Sequence, residues 1–235
     1  MLPLFILLAV CELAVPMWAE KAGRTAWHAH HIVERYGLFT IIVLGESVLS
    51  ATIAVQAVLD ADGTVTDLAT VIVGGLLLVY SMWWIYFALP AERMVDRARH
   101  DFDEDHAGAV FAWGYGHYVI LAAIAAAGAG IAAAIDQVGD HSTLTDVEAA
   151  LVLTVPVAVY LVTVWVLHYR DKDPGPMRTW MPPVAAAVVV ATSFTPEPVL
   201  LTGLVLAGLV ACSVILAERR HMSIAPDVDE PAGAT

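Results

Sequence analysis

Two ionisable residues lie inside long apolar stretches of the sequence, and each can bind and release a proton. Glu46 follows Arg35 by eleven residues, which in a helix places it roughly 16 Å deeper, close to the middle of a hydrocarbon core about 30 Å thick. His117 lies about ten residues into another apolar stretch and is expected at a similar depth. Because a charged group in lipid costs roughly 2.5–3.5 kcal/mol, each of these residues is a functional hypothesis.

Polar neighbours extend the region around Glu46. Eleven residues make about three helical turns, so Arg35 and Glu46 are expected on one face, which Ser50 continues and which should be turned toward protein or water. Glu12 is a third acid, roughly 9 Å from the end of its own apolar stretch. We therefore predict a proton- or cation-handling site between helices. Its candidate residues are Glu46, His117, Arg35, Glu34, His31, Glu12, Ser47 and Ser50.

An alternative reading of the same residues is structural. A neutral Glu and a neutral His can hydrogen-bond between helices and hold a bundle together without any transport or catalysis. The sequence leaves these two readings open.

Other polar clusters do not have the spacing of known sites. The His28, His30 and His31 group has no carboxylate or thiolate at ligand spacing, and the acidic run 101–106 lacks the glycine of a calcium loop. Cys11 and Cys212 lie in apolar runs and are expected to pack as small residues. We therefore expect no metal site and no cofactor.

Soluble-type active sites are not indicated either. The sequence has no nucleophile elbow, no HExxH zinc motif, no phosphate-binding glycine loop and no dinucleotide fingerprint. A non-enzymatic role is therefore favoured.

The composition is that of a membrane protein. The 235 residues are 59% hydrophobic and only 15% charged, with a mean hydropathy of +0.73, whereas soluble domains average about 25% charged residues. The formal charge is −13, and no basic patch suited to nucleic acid is present. One crossing needs about 20 apolar residues, so the chain is filled by its spans and the lipid bilayer is its expected surrounding.

Seven continuous apolar stretches predict an all-α, polytopic helical bundle, since continuous runs favour helices over alternating barrel strands. We expect a single transmembrane domain over residues 1–217, a disordered cytoplasmic tail over 218–235, and no internal repeat. The N-terminal stretch is not expected to be cleaved, because it lacks a basic region and contains Glu12. The predicted spans are Leu2–Trp18, His31–Ala57, Leu68–Leu89, Ala107–Ile135, Val147–Leu167, Trp180–Thr195 and Val199–Leu216. The last two might instead form one interrupted hairpin around Thr195–Pro198.

The basic residues define the orientation. In the seven-span arrangement all eleven lie on one side, which the positive-inside rule makes cytoplasmic, with the N-terminus outside and the C-terminus inside. We therefore expect a multi-pass protein of the plasma (inner) membrane. The basic residues are Lys21, Arg24, Arg35, Arg93, Arg97, Arg99, Arg170, Lys172, Arg178, Arg219 and Arg220.

The segment His31–Ser47 resembles the signature of the bacterial low temperature requirement protein A family. That pattern has a His, a Glu-Arg pair, a Gly-Leu, an apolar run and a Gly-Glu-Ser, and Tyr115–Ile131 with His117 looks like a later family helix. The matching positions of the first block are His31, Glu34, Arg35, Gly37, Leu38, Gly45, Glu46 and Ser47. The resemblance implies a multi-pass inner-membrane protein and no established reaction or substrate.

One departure from the family bears on partners. Longer members have an upstream half that opens with a Glu-Leu-Phe-Phe-Asp type helix, and this chain lacks that segment. The resemblance therefore implies that the chain is partial or assembles with another molecule, either as a homo-oligomer or with the missing N-terminal half.

Three functions remain as hypotheses. The first is a transporter or channel for protons or a small ion that uses Glu46. The second is a non-catalytic scaffold or stress-related assembly factor. The third is a membrane enzyme acting on a hydrophobic substrate, with Glu46 and His117 as acid and base, which requires the two groups within reach of one another.

Overall fold

The computed structural model describes residues 2–22, 29–61, 64–88, 107–140, 142–168 and 176–224. Over these ranges the chain is helical and contains no β-strand, so the predicted all-α fold is confirmed. Within the described ranges the helices are α1 (Leu2–Ala22), α2 (Ala29–Asp60), α3 (Val65–Phe87), α4 (Ala107–Val138), α5 (Asp146–His168), α6 (Pro176–Ala191) and α7 (Pro198–Ile224), with a short 3-10 helix (Thr192–Phe194) after α6.

The seven helices follow the seven predicted spans in order. Five of those described are long and apolar enough to cross a bilayer, namely α2, α3, α4, α5 and α7, whereas α1 and α6 contain the shorter apolar stretches Pro3–Pro16 and Thr179–Phe194. The fold is thus that of a multi-pass helical bundle. The sidedness stays a prediction.

Some sequence boundaries need correction. α3 ends at Phe87, before the predicted Leu89, and α7 continues through Ile224 into the segment predicted as the tail. The remainder of that tail and most of the basic loop residues lie outside the described residues, as do His28 and the acidic run 101–106.

α4 is the central helix of the bundle. It packs against α2, α3 and α5, and half of its apolar segment Trp113–Val138 is buried, against 17% of the α2 segment His31–Asp60. Small residues make this position possible, because a Cβ on Gly130 would lie 2.6 Å from the Cα of Leu153 in α5. Helices in lipid associate through such close backbone approach.

A glycine contact also joins α3 to α7. A Cβ added to Gly74 would lie 2.6 Å from the backbone nitrogen of Leu200, and a Cβ added to Gly203 would collide with the carbonyl oxygen of Gly74. The two backbones therefore meet directly at this crossing, as small-residue helix interfaces do in membranes.

The hairpins α2–α3 and α4–α5 repeat one another at an offset of 79 residues, which corrects the expectation of no internal repeat. Tyr36-Gly37 corresponds to Tyr115-Gly116, and Thr66-Asp67 corresponds to Thr145-Asp146. The first pair lies in the opening helix of each hairpin and the second pair lies at the start of the returning helix.

The packing supports the same repeat. Residues 71–83 and 150–162 have the same order of buried, half-buried and exposed positions. A glycine of the first helix also faces a large apolar side chain near the end of the second helix in each hairpin. These pairs are Gly37 with Phe87 and Gly116 with Leu167. Two matching hairpins therefore lie side by side, joined through α2 and α4.

Candidate functional site

His117 is fully buried in α4 and both of its ring nitrogens are hydrogen-bonded. Nδ1 donates to the carbonyl oxygen of Trp113 at 2.8 Å, since a carbonyl only accepts, and Nε2 accepts from the hydroxyl of Tyr86 at 3.1 Å. This is the hydrogen-bonding pattern of a neutral imidazole. The side chain therefore connects α4 to α3.

Aromatic rings enclose His117 on its remaining sides. The ring centroid of Trp113 lies 4.2 Å away, and that of Tyr36 from α2 lies 4.5 Å away. Below Tyr36, the hydroxyl of the fully buried Thr40 donates to the Tyr36 carbonyl oxygen at 2.9 Å. We call His117, Trp113, Tyr36 and Tyr86 the aromatic-His cluster. It joins α2, α3 and α4 at one level of the bundle.

Ser47 lies deeper along the same α2–α4 contact. Its hydroxyl is within 3.1 Å of the Val43 carbonyl oxygen and within 3.4 Å of the Ile124 carbonyl oxygen, and it is buried. A Cβ on Gly128 would lie 2.5 Å from this hydroxyl. Of the other predicted position on this face, Ser50 is half-buried.

These contacts set the relative height of Glu46 and His117. Tyr36 lies against His117 and Ser47 lies against Gly128, and in both pairs the α4 residue is numbered 81 beyond its α2 partner. The two helices therefore run parallel, and His117 is level with Tyr36. Glu46 lies ten residues further along α2, roughly 15 Å away along the axis. The structure does not bring these two candidate residues together, and His117 lies nearer the Arg35 end than predicted.

Glu46 is exposed on the outer side of α2. The face that α2 turns into the bundle carries Val33, Thr40, Leu44, Ser47 and Val58. Glu46 instead shares its side with Ile42 and Ile53, which are 64% and 58% exposed. The predicted face of Arg35 and Glu46 therefore exists, but it points away from the described helices. Apolar residues occupy both faces of a membrane helix, so the sequence did not reveal which one is covered.

The remaining candidates lie near helix ends or on α1. His31 and Glu34 approach one another at 3.9 Å between Nδ1 and Oε2, with both side chains mostly exposed, and Arg35 is exposed as well. Glu12 is exposed on α1. A hydrogen bond from the Tyr115 hydroxyl to the Leu13 carbonyl oxygen joins α1 to α4.

The sequence analysis missed several buried polar residues. Tyr86 and Tyr36 were not proposed as partners of His117, although the Tyr-Gly pairs at both repeat positions are a signal that could have found Tyr36. A second group of hydroxyls links α5, the 3-10 helix and α7. Its contacts are Thr154 with Ser193 at 2.6 Å and Thr192 with Thr202 at 2.8 Å.

Comparison with known proteins identifies the relatives of the chain. The model of the family described as bacterial low temperature requirement A protein matches residues 1–217. An uncharacterized protein of Rhizobium meliloti (strain 1021) is 34% identical over 94 residues, which cover 40% of this chain and 22% of that relative. The chain thus matches about a fifth of the length of this curated relative. No solved structure matches the chain significantly.

The family match covers far more than half of the chain and includes α1 to α6 and most of α7. Together with the long apolar helices, it makes this chain a multi-pass membrane protein. The protein belongs to the bacterial low temperature requirement A family.

Proposed function

We propose that the protein moves protons or another small cation across the plasma membrane along a path beside the outer face of α2, with Glu46 as the carboxyl that binds the ion. The observation that carries this proposal is the exposed position of Glu46 near the middle of the apolar segment His31–Asp60. Lipid does not stabilise a carboxylate, so a carboxyl kept there has to meet water or polar protein groups.

The interior of the α2–α4 contact favours a path on the outer face. Ser47 fills the space against Gly128, and His117 is fully buried with both nitrogens bonded. A hydrated route between these two helices would have to displace closely packed groups. The outer side of α2, where a Cβ on Gly45 would meet no atom within 4 Å, has room for water or for another molecule.

Flux through reconstituted protein tests the proposal. Wild type, Glu46→Gln and Glu46→Asp are placed in liposomes with a potassium diffusion potential, and proton entry is followed with an enclosed pH-sensitive dye. We expect wild type to exceed protein-free liposomes and Glu46→Gln to fall to their level. Glu46→Asp, which keeps an ionisable carboxyl, should retain part of the flux. The same assay with sodium and potassium identifies the ion.

The matched control is Glu197→Gln. Glu197 is an exposed carboxylate in the turn before α7, so its loss changes the net charge by the same amount without altering the span. We expect wild-type flux from this variant. Equal flux of every tested ion in wild type and Glu46→Gln would reject the proposal.

A scaffold role is the second candidate. The observation in its favour is the aromatic-His cluster, whose central His117 is buried and bonded within the bundle, as expected of a group that only holds helices together. Under this function, a strain that lacks the protein is restored equally by wild type and by Glu46→Gln. Failure of Glu46→Gln to restore the strain, with normal membrane levels of the variant, would argue against the scaffold.

An enzyme that pairs Glu46 with His117 has less support. Acid–base catalysis needs both groups within hydrogen-bond reach of one substrate or joined by a water. An axial separation of roughly 15 Å, at 1.5 Å per residue over ten residues, is too long for this.

A further inference from the structure

The outer side of α2 carries a continuous exposed stripe. Its residues are spaced alternately by three and four positions and make up the outer stripe: Phe39, Ile42, Glu46, Leu49, Ile53 and Gln56. Phe39, Ile42, Leu49 and Ile53 are 51–64% exposed. None of the described helices covers this stripe.

The spacing is that of a helix–helix seam. Alternation of three and four residues keeps one line of side chains facing a partner helix that crosses at about 20°, which is the commonest crossing in membrane bundles. The stripe is nearly five turns long, and its two polar members are ten residues apart. A helix packed along it would cover both.

Lipid alone is a poor cover for this stripe. Glu46 and Gln56 place a carboxyl and an amide among apolar side chains, and unpaired polar groups are unfavourable in hydrocarbon. A single polar residue in an apolar seam commonly fixes which helices pair and in which register. The carboxyl near the middle of the segment therefore points to a partner helix that carries a hydrogen-bonding group at the same depth.

We propose that the partner is α2 of a second copy of this chain, related by a two-fold axis perpendicular to the membrane. All copies of a chain insert with the same orientation, so this symmetry brings each stripe residue level with its own counterpart. Glu46 then meets Glu46 of the other copy, and two carboxyl groups that share a proton can hydrogen-bond. Gly45 beside it has open space, so the two backbones can approach closely.

The repeat supplies an independent argument for a parallel helix on this side. Leu49 of the outer stripe corresponds, at the offset of 79 residues, to Gly128 of α4. Gly128 is covered by Ser47 of α2, a helix that runs parallel to α4. The molecule thus already packs a parallel helix on this position of one hairpin, whereas the same position of the other hairpin is 52% exposed. This inference uses the carboxyl of the proposed function but does not require transport.

Disulfide cross-linking of the full chain in liposomes tests the interface. Cys11 and Cys212, both exposed, are first replaced by alanine, and Ile42→Cys or Leu49→Cys is then introduced and oxidised with copper phenanthroline. We expect covalent dimers of twice the chain mass from both variants. The matched control is Leu204→Cys on α7, which is 50% exposed and lies off the stripe. We expect it to stay monomeric.

The cross-linking result can overturn the proposal in two ways. Equal dimer yield from the Leu204→Cys control would mean random collision, and no dimer from either stripe variant would mean that the stripe is not a self-interface. Cross-linking in native membranes to a species of another mass would likewise overturn it in favour of a different subunit.

Glu46 variants separate the interface from the proposed function. Fluorescence energy transfer between labelled copies in liposomes should show about tenfold weaker dimerisation for Glu46→Leu, the loss expected for one interhelical hydrogen bond. Glu46→Gln should dimerise like wild type, because amides also hydrogen-bond to one another, while its ion flux is lost. Dimers without Glu46-dependent flux would reject transport alone, and monomers with such flux would reject the interface alone.

Discussion

Ser47 of α2 occupies the space that a side chain on Gly128 of α4 would need. A Cβ on Gly128 would lie 2.5 Å from the Ser47 hydroxyl oxygen and 2.7 Å from the Ser47 Cβ. The glycine therefore sets the distance between the two parallel helices that join the repeated hairpins, and the stability of this contact can be measured.

We predict that Gly128→Ala destabilises the protein. In an open helix this change would stabilise by about 0.5–1 kcal/mol, but here overpacking should cost about 1–3 kcal/mol. Thermal unfolding in detergent, followed by circular dichroism, should show a lower Tm. Gly208→Ala is the control, because a Cβ there meets no atom within 4 Å, and its Tm should not fall. Adding Ser47→Gly to Gly128→Ala should recover part of the loss, and no recovery would contradict the assigned contact.

The helices were predictable from the sequence because each apolar run is long enough to form one element in lipid. The covered face of each helix was not. In water an apolar side chain marks the inner face of a helix, but in lipid Ile42 on the outside and Leu44 on the inside are equally acceptable. The sequence therefore located Glu46 along α2 but gave the wrong surroundings for it.

The partners of His117 were likewise beyond the sequence. Trp113 is one turn away in the same helix and follows from spacing, whereas Tyr86 lies 31 residues earlier in another helix. Only the packing of α3 against α4 brings the two together. The repeat was missed for a related reason, since two short identical pairs in 79 residues carry little weight until the burial pattern is known.

We predict that Tyr86→Phe weakens the bundle. The change removes the hydroxyl that donates to His117 Nε2 and leaves a buried acceptor unpaired, which costs about 1–3 kcal/mol. Chemical unfolding in mixed micelles would measure the loss. Tyr80→Phe on the same helix serves as the control, because Tyr80 is 62% exposed. Equal stability of the two variants would contradict the hydrogen bond.

The hydroxyl pair of Thr154 and Ser193 should show energetic coupling. Both are buried, and their oxygens lie 2.6 Å apart. In a double-mutant cycle of Thr154→Val and Ser193→Ala we expect a coupling of about 0.6 kcal/mol, and at most about 1.7 kcal/mol, as for other hydrogen bonds between membrane helices. A second cycle pairs Ser193→Ala with Thr163→Val, whose hydroxyl bonds within its own helix, and this cycle should be additive. Coupling of equal size in both cycles would refute a specific contact.

The sidedness of the bundle gives the last prediction. Two helices, α4 and α5, separate residue 97 from residue 178, so two crossings should return the chain to the same side, and the positive-inside rule makes that side cytoplasmic. In a background without Cys11 and Cys212, an impermeant maleimide applied to intact cells should label Thr143→Cys between these helices. It should label Arg97→Cys and Arg178→Cys only after the membrane is opened. Labelling of Arg97→Cys and Arg178→Cys from opposite sides would mean that one helix does not cross, and the depth assigned to Glu46 would then have to be revised.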